Sequence, residues 1–191
     1  MPMNFMHRKI CSSQNWATNV RERSLPWSLT GVELGANLLE IGPGYGATTR
    51  VLVDLAPNVT AVEVDARSAK DLQREFDGKA KILHGDGSRM SLPDQEFSSV
   101  VCFTMLHHVP TRPMQDGIFA EAFRVLRPGG VFAGSDSRLS LRFRLLHIGD
   151  TMNVVDPDEL PARLRTAGFE DVTVTLREGA FRFQAKKPSL P

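Results

Sequence analysis

Cysteine is scarce in this sequence: Cys11 and Cys102 are the only two among 191 residues. No disulfide framework can be built from that supply, and Cys102, inside an apolar run, reads as a buried thiol. No stretch approaches the ~20 consecutive apolar residues of a membrane span. Met1 to Ile10 carries charges and no sustained apolar run, which argues against a signal peptide and makes the reducing cytoplasm the expected location. Charge of one sign is lacking too. The formal net charge is +1, which gives no global pull toward nucleic acid or an anionic membrane. There is no internal repeat and no low-complexity tract. The histidines do not fall at metal-ligand spacings and no cysteine cluster accompanies them, so no metal is expected. What is left is the composition of one ordinary globular domain, 41% hydrophobic and 24% charged, long enough for one real core.

Against that background the stretch Leu38-Leu39-Glu40-Ile41-Gly42-Pro43-Gly44-Tyr45-Gly46 is the most informative. An apolar strand delivers the chain into a turn with few side chains. Glycine permits positive φ and lets the backbone approach a ligand closely. Ala47 to Leu55 reads as a helix whose free amide groups point back at the turn. A nucleotide-like ligand fits there.

The segment up to about Gly35 differs in character. Ser13 to Arg23 looks helical, Leu25-Pro26-Trp27 interrupts it, and Trp16, Trp27 and Leu29 supply apolar contacts. Residues 1–35 read as an N-terminal helical cap over one domain spanning 36–191. From Asn37 onward strands and helices alternate. Strands are expected at Leu38–Ile41, Val59–Val64, Ala80–Leu83, Phe97–Phe103, Val131–Gly134, Val172–Leu176 and Phe181–Ala185. Helices are expected at Ala66–Phe76, from Pro113 to Leu126 with Ile118, Phe119, Ala122 and Val125 inward, and at Pro157–Ala167. Arg127-Pro128-Gly129-Gly130 should stop the second of these. The alternation implies a doubly wound α/β fold with a parallel sheet. Only four residues join the last two strands, too few for a parallel crossover, so these two must be antiparallel neighbours.

In such sheets ligands bind at the carboxyl ends of the strands. Those ends are Gly42 to Gly46, Glu63, Asp86, Phe103 to His108, and Ser135 to Asp136. Glu63 can accept from both hydroxyls of a ribose. Asp86 can accept from an exocyclic adenine amine, with Gly87 leaving room for the ring. Glu40 would repel a pyrophosphate but suits a ligand bearing an ammonium group. Asp65 reads as an N-cap.

Here the sequence resembles the class I S-adenosylmethionine-dependent methyltransferases, of the small-molecule group that includes the ubiquinone- and menaquinone-biosynthesis type. The carrying residues are Leu39 to Gly46, Val62-Glu63-Val64-Asp65, Gly85-Asp86-Gly87 with Leu92-Pro93, and Phe97 to Val101 leading into Leu106-His107-His108-Val109. Glu121 to Gly130 completes the set. Several motifs in order are strong where a lone glycine turn is weak. The resemblance implies a seven-stranded, mostly parallel, Rossmann-like sheet ending in an antiparallel strand. It implies that Gly42, Gly44 and Gly46 line the methionine part and ribose of S-adenosylmethionine, with Glu40 near its ammonium. Glu63, with Val64 beside it, would hold the ribose, Asp86 and Gly87 the adenine, and Phe103 and Thr104 would flank the cofactor. Met105 or His108 would cover its methyl end.

The implied activity is methyl transfer to a small-molecule acceptor by in-line displacement, leaving S-adenosylhomocysteine. His108 and His147 are the candidate bases where the acceptor must lose a proton. His107 and His108 recur as a pair in the family, which suggests a partly structural role. Segment 137–156 would be a lid or acceptor segment. Within it, Arg138, Arg142 and Arg144 alternate with Leu139, Leu141, Phe143, Leu145 and Leu146. That pattern fits an amphipathic element with a solvated basic face better than an arginine-lined acceptor pocket, and membrane contact is not expected. The fourth strand ends in Phe103-Thr104, without the carboxylate of metal-dependent catechol-type enzymes, and only Asp136 would match their pattern. The Asn/Asp-Pro-Pro-Tyr motif of amino-methylating nucleic-acid enzymes is missing, so nucleic acid is not an expected partner. Monomer and homodimer stay open. A non-catalytic cofactor-binding regulator is one alternative. A nicotinamide-dependent oxidoreductase is another, although Glu40 and the early third glycine oppose it.

Overall fold

The computed structural model describes residues 4–189, and for Phe5, Met6, His7, Arg142 and Leu146 the backbone alone. The readings that involve Met1 to Met3, and the side chains of Arg142 and Leu146, lie outside the described residues. The chain opens with helices α1 (Phe5–Cys11) and α2 (Gln14–Asn19), a π-helical turn over Val20–Ser24, and α3 (Leu25–Ser28). Leu25-Pro26-Trp27 therefore does not interrupt the helical run. Pro26 falls in the first turn of α3, where a missing N–H costs no intrahelical bond.

The sheet strands are β1 (Asn37–Ile41), β2 (Asn58–Glu63), β3 (Lys81–His84), β4 (Phe97–Phe103), β5 (Leu126–Ser137), β6 (Glu170–Arg177) and β7 (Ala180–Lys186). Between them lie α4 (Thr49–Leu55), α5 (Ala66–Glu75), a 3-10 turn over Leu106–His108, α6 (Arg112–Val125), α7 (Leu141–Leu146) and α8 (Leu160–Thr166). The strand order is β3-β2-β1-β4-β5-β7-β6. All pairings are parallel except those of β7, which runs antiparallel to both neighbours. The direction of winding reverses between β1 and β4, which opens a crevice at their carboxyl ends.

β5 begins earlier than the sequence suggests, because Arg127-Pro128-Gly129-Gly130 ends α6 and also enters the strand. A register shift absorbs the extra residues: Phe97 pairs with Leu126, and the next partner of β4, Ser99, pairs with Val131. Gly129 takes φ 74° there.

Alternation along the strands splits the core. Leu39 and Ile41 of β1 and Val100 and Cys102 of β4 pack on Ile118, Phe119, Ala122 and Val125 of α6. Leu38 of β1 and Val101 and Phe103 of β4 face Leu52 of α4, with Val20 and Leu25 of the N-terminal segment. Full burial of side chains of this size contributes roughly 1.5–3 kcal/mol each. It fixes the N-terminal segment against the sheet beside the crevice.

Candidate active site

The turn after β1 carries positive φ at Gly42, Gly44 and Gly46 (72°, 57° and 73°). It is tied to β2 by the Gly42 amide, which donates to the Val62 carbonyl at 2.9 Å. Each glycine has a different reason to be one. Among the described residues nothing lies within 4 Å of where a Gly44 Cβ would stand, whereas at Gly42 it would meet Met105 at 3.1 Å. At Gly46 a Cβ would come within 2.7 Å of the Leu72 side chain. Gly44 is thus open to a ligand, Gly42 lies under Met105, and Gly46 lets α5 pack against the turn.

Glu63, 6% exposed at the end of β2, accepts from the Gly44 amide and from the Asp65 amide, both at 2.9 Å. Asp65 caps α5 by accepting from the Ser68 amide at 2.8 Å, and that bond holds its carboxyl below the ordinary range. Glu40 is 1% exposed and lies beneath the turn, accepting from the Thr48 hydroxyl and, at 2.6 Å, from the Thr49 hydroxyl. Burial pushes its carboxyl up to about 7. The two hydroxyls oppose that rise and the neighbouring Glu63 adds to it.

Beyond β4, Thr104 takes φ 50° and donates its amide to the Ser135 carbonyl at 2.7 Å. This sparsely populated backbone is the strain common at functional sites. The 3-10 turn that follows is clamped from outside. Gln115 of α6 donates to the Leu106 carbonyl at 3.0 Å and to the Asn153 carbonyl at 2.8 Å. Asn153 in turn donates to the His107 and Val109 carbonyls. Buried His107 sets its Nδ1 2.5 Å from an Asp136 oxygen, and its amide donates to the other oxygen at 3.0 Å.

One cavity of about 660 Å³ joins these groups. Gly42, Gly44, Glu63, Val64, Phe103, Thr104, His108 and His147 all line it. Glu40, Gly46, Asp86 and Gly87 do not. Asp86 is exposed and turned on its own loop, accepting from the amide and hydroxyl of Ser88 at 2.8 Å each. Gly87 makes room for Ile41, whose side chain would lie 2.6 Å from a Cβ.

The far wall comes from Ile10, Cys11, Trp16 and Val20 on one side and Phe143 and His147 on the other. These two sides meet where Asn4 donates its amide to Asp150 and its side-chain nitrogen to the Ile148 carbonyl. Burial, then Asp150, pushes the Cys11 thiol up to about 11. On α7, Leu141 and Leu145 are exposed while Phe143 and the following His147 face the cavity, so the outward face is not purely basic.

Sequence reasoning missed the His107–Asp136 pair and the Gln115 clamp. Gln115 had a signal: it sits on the same helical stripe as Ile118, Phe119, Ala122 and Val125, so it had to be buried with a partner.

Among known families, residues 39–134 match the methyltransferase domain. A sterol 24-C-methyltransferase of Aspergillus fumigatus is 30% identical over 158 residues, covering 73% of this chain and 41% of the relative. A probable S-adenosylmethionine-dependent methyltransferase of Mycolicibacterium smegmatis is 31% identical over 140 residues, covering 71% and 52%. The chain spans about half, or less, of the length of these curated relatives. In fold it resembles a chain from the complex between the Haloferax volcanii Trm112 methyltransferase activator and a methyltransferase. That match has a TM-score of 0.73 at 15% identity, covering 98% of this chain and 100% of the other.

Proposed function

The chain belongs to the methyltransferase domain family, and from that premise we propose that it transfers a methyl group from S-adenosylmethionine to a small, largely apolar acceptor. When bound, S-adenosylmethionine supplies a methyl group made electrophilic by the sulfonium that carries it. The remaining work falls to the chain's own residues.

The residues present fit that ligand. The backbone at Gly44 is open to close approach. Glu63 has given one acceptor position on each oxygen to a backbone amide, and a carboxylate has about four, so it can still accept from two ribose hydroxyls. Val64 offers apolar surface to a base, and Phe103, Thr104 and Met105 flank the methyl end. Glu40 acts from beneath the turn through its field, since a cation above it favours its ionised form.

In-line displacement needs positioning and a dry site more than it needs a catalyst group. The N-terminal helices and α7 wall off the far end. Where an acceptor must lose a proton, His108 and His147 stand at that end to take it. Ile10, Trp16, Val20 and Phe143 there favour a largely apolar acceptor, and Arg8, on the same helix as Ile10, adds one cation to the lining. The similarity to a sterol 24-C-methyltransferase points the same way, and the net charge of +1 offers no electrostatic footprint for RNA.

The observation that carries this reading is that Glu63 and the open glycine turn share one cavity with an apolar, histidine-bearing far wall. Calorimetry with S-adenosylmethionine and with a nicotinamide dinucleotide tests the first half, and saturable binding of the former alone is expected. Methyl-labelled cofactor offered with pools of apolar small molecules and with bulk ribosomal RNA tests the second. Label in the small-molecule pool is expected. Dinucleotide binding alone overturns the methyltransferase reading, label in RNA alone overturns the acceptor class, and bound cofactor without any label identifies a non-catalytic binding protein.

A further inference from the structure

We propose that His107, His108 and His147 form a site for one divalent transition-metal ion at the far end of the cavity. Each offers one ring nitrogen, and the three atoms lie within 4.8 Å of one another. The sequence hides the cluster, because two of its members are adjacent and the third arrives from another element after β5.

Two of the three rings, His107 and His147, already have a hydrogen-bond acceptor at Nδ1. A carboxylate oxygen is an acceptor, so with His107 Nδ1 2.5 Å from Asp136 the neutral ring is best served by carrying its proton on Nδ1, which leaves the Nε2 lone pair for an ion. A carbonyl also only accepts, so His147 Nδ1, 2.8 Å from the Phe143 oxygen, carries a proton and leaves Nε2 as the donor atom. A carboxylate or backbone carbonyl on the other ring nitrogen is the usual support of a metal-binding histidine. Both kinds occur here, on two different elements.

The competing explanation is an aromatic cluster with Phe143, whose ring lies 4.0 Å from that of His147 and 5.1 Å from that of His107. Ring packing alone accounts for neither the convergence of nitrogens nor the two supporting acceptors.

The donor set selects the ion. Imidazole suits zinc and its first-row neighbours, whereas magnesium and calcium require oxygen ligands. Three protein nitrogens with a fourth position left open is the pattern of zinc sites that handle substrate. With Zn–N bonds of ~2.1 Å, tetrahedral ligands stand ~3.4 Å apart, so nitrogens up to 4.8 Å apart must close by as much as about 1.4 Å. Asp136 pins His107, and the movement falls to half-buried His108 and to His147 after α7. All three rings line the cavity, so the open position faces it and would take water or an oxygen, nitrogen or sulfur atom of the acceptor. A histidine that holds the ion no longer serves as a base, so the metal site replaces the base role given to His108 and His147 above, and only the binding of an acceptor atom rests on the methyl-transfer reading. Metal uptake does not.

The test uses the full chain, stripped by chelator and titrated with Zn²⁺ against a chromogenic chelator, with Co²⁺ absorption as the reporter of geometry. Uptake of one equivalent is expected, with the intense visible bands of a low-coordinate Co²⁺ site. His108→Ala and His147→Ala should each weaken binding roughly tenfold or more, and circular dichroism identifies which variants are folded; either folded variant suffices. Absence of saturable uptake, or uptake undiminished in a folded variant, overturns the site. S-adenosylmethionine binding is measured on the same samples. Zinc uptake without cofactor binding overturns the methyltransferase reading and leaves the metal site standing, and the reverse result overturns the metal site alone.

Discussion

Replacing Glu63 by Ala removes the proposed acceptor for ribose and also releases the Gly44 and Asp65 amides that shape the turn. Cofactor affinity should fall by roughly ten- to a hundredfold, about 1.4–2.8 kcal/mol, as measured by calorimetry. Asp86→Ala should cost far less, because that side chain serves its own loop. Glu40 makes a different statement. Its carboxyl stands at about 7 in the folded chain against an ordinary 4.5, so between those values the native state holds more protons than the unfolded one. Stability should therefore fall as pH rises through that window, by up to about 3 kcal/mol, and level off above it. Urea unfolding from pH 4.5 to 8 checks this, with Glu40→Gln expected to flatten the Glu40 contribution. The glycine turn, the strand ends and the Asp65 cap were legible one by one, since strand ends and glycine spacing mark positions along a chain. Which way Asp86 turns was not legible, because Ser88 two residues on decides it.

At the level of elements, the turn between β1 and α4 separates binding from packing. Gly46→Ala forces a side chain to φ 73° and to within 2.7 Å of Leu72, and should destabilise the fold by about 2–4 kcal/mol. Gly44→Ala meets nothing within 4 Å among the described residues. It should cost only the strain of its positive φ, about 1 kcal/mol, while obstructing the cofactor. Thermal unfolding and cofactor titration of the two variants should therefore rank them in opposite orders. The strand–helix alternation was legible because both periods are written in the apolar residues. The helical path through Pro26 and the early start of β5 were not, since proline and glycine mark a change of direction without saying whether the ladder resumes at once. The His107–Asp136 pair needed the fold itself, as β4 and β5 bring the two residues together.

At the level of the whole molecule, the far wall of the cavity is assembled from the two sides of the chain that meet at Asn4, Ile148 and Asp150. Cys11 lines that wall with a thiol pushed up to about 11, so at pH 8 only roughly one molecule in a thousand carries the thiolate. Alkylation of Cys11 should be slow and should slow further when the cavity is filled. Cys102, 1% exposed, should resist until the chain unfolds, and mass spectrometry distinguishes the two. The sheet order carries one more consequence. β7 follows β6 in the chain yet lies between β5 and β6, and among the described residues β6 has no other neighbour in the sheet. A ribosome therefore delivers β6 before the strand it pairs with exists. Only Glu178 and Gly179 separate the two strands, so they pair as a hairpin, and β7 then docks beside β5. Until that hairpin docks, the far edge of β5 is bare and open to pairing with another chain, which is the exposure a chaperone would cover.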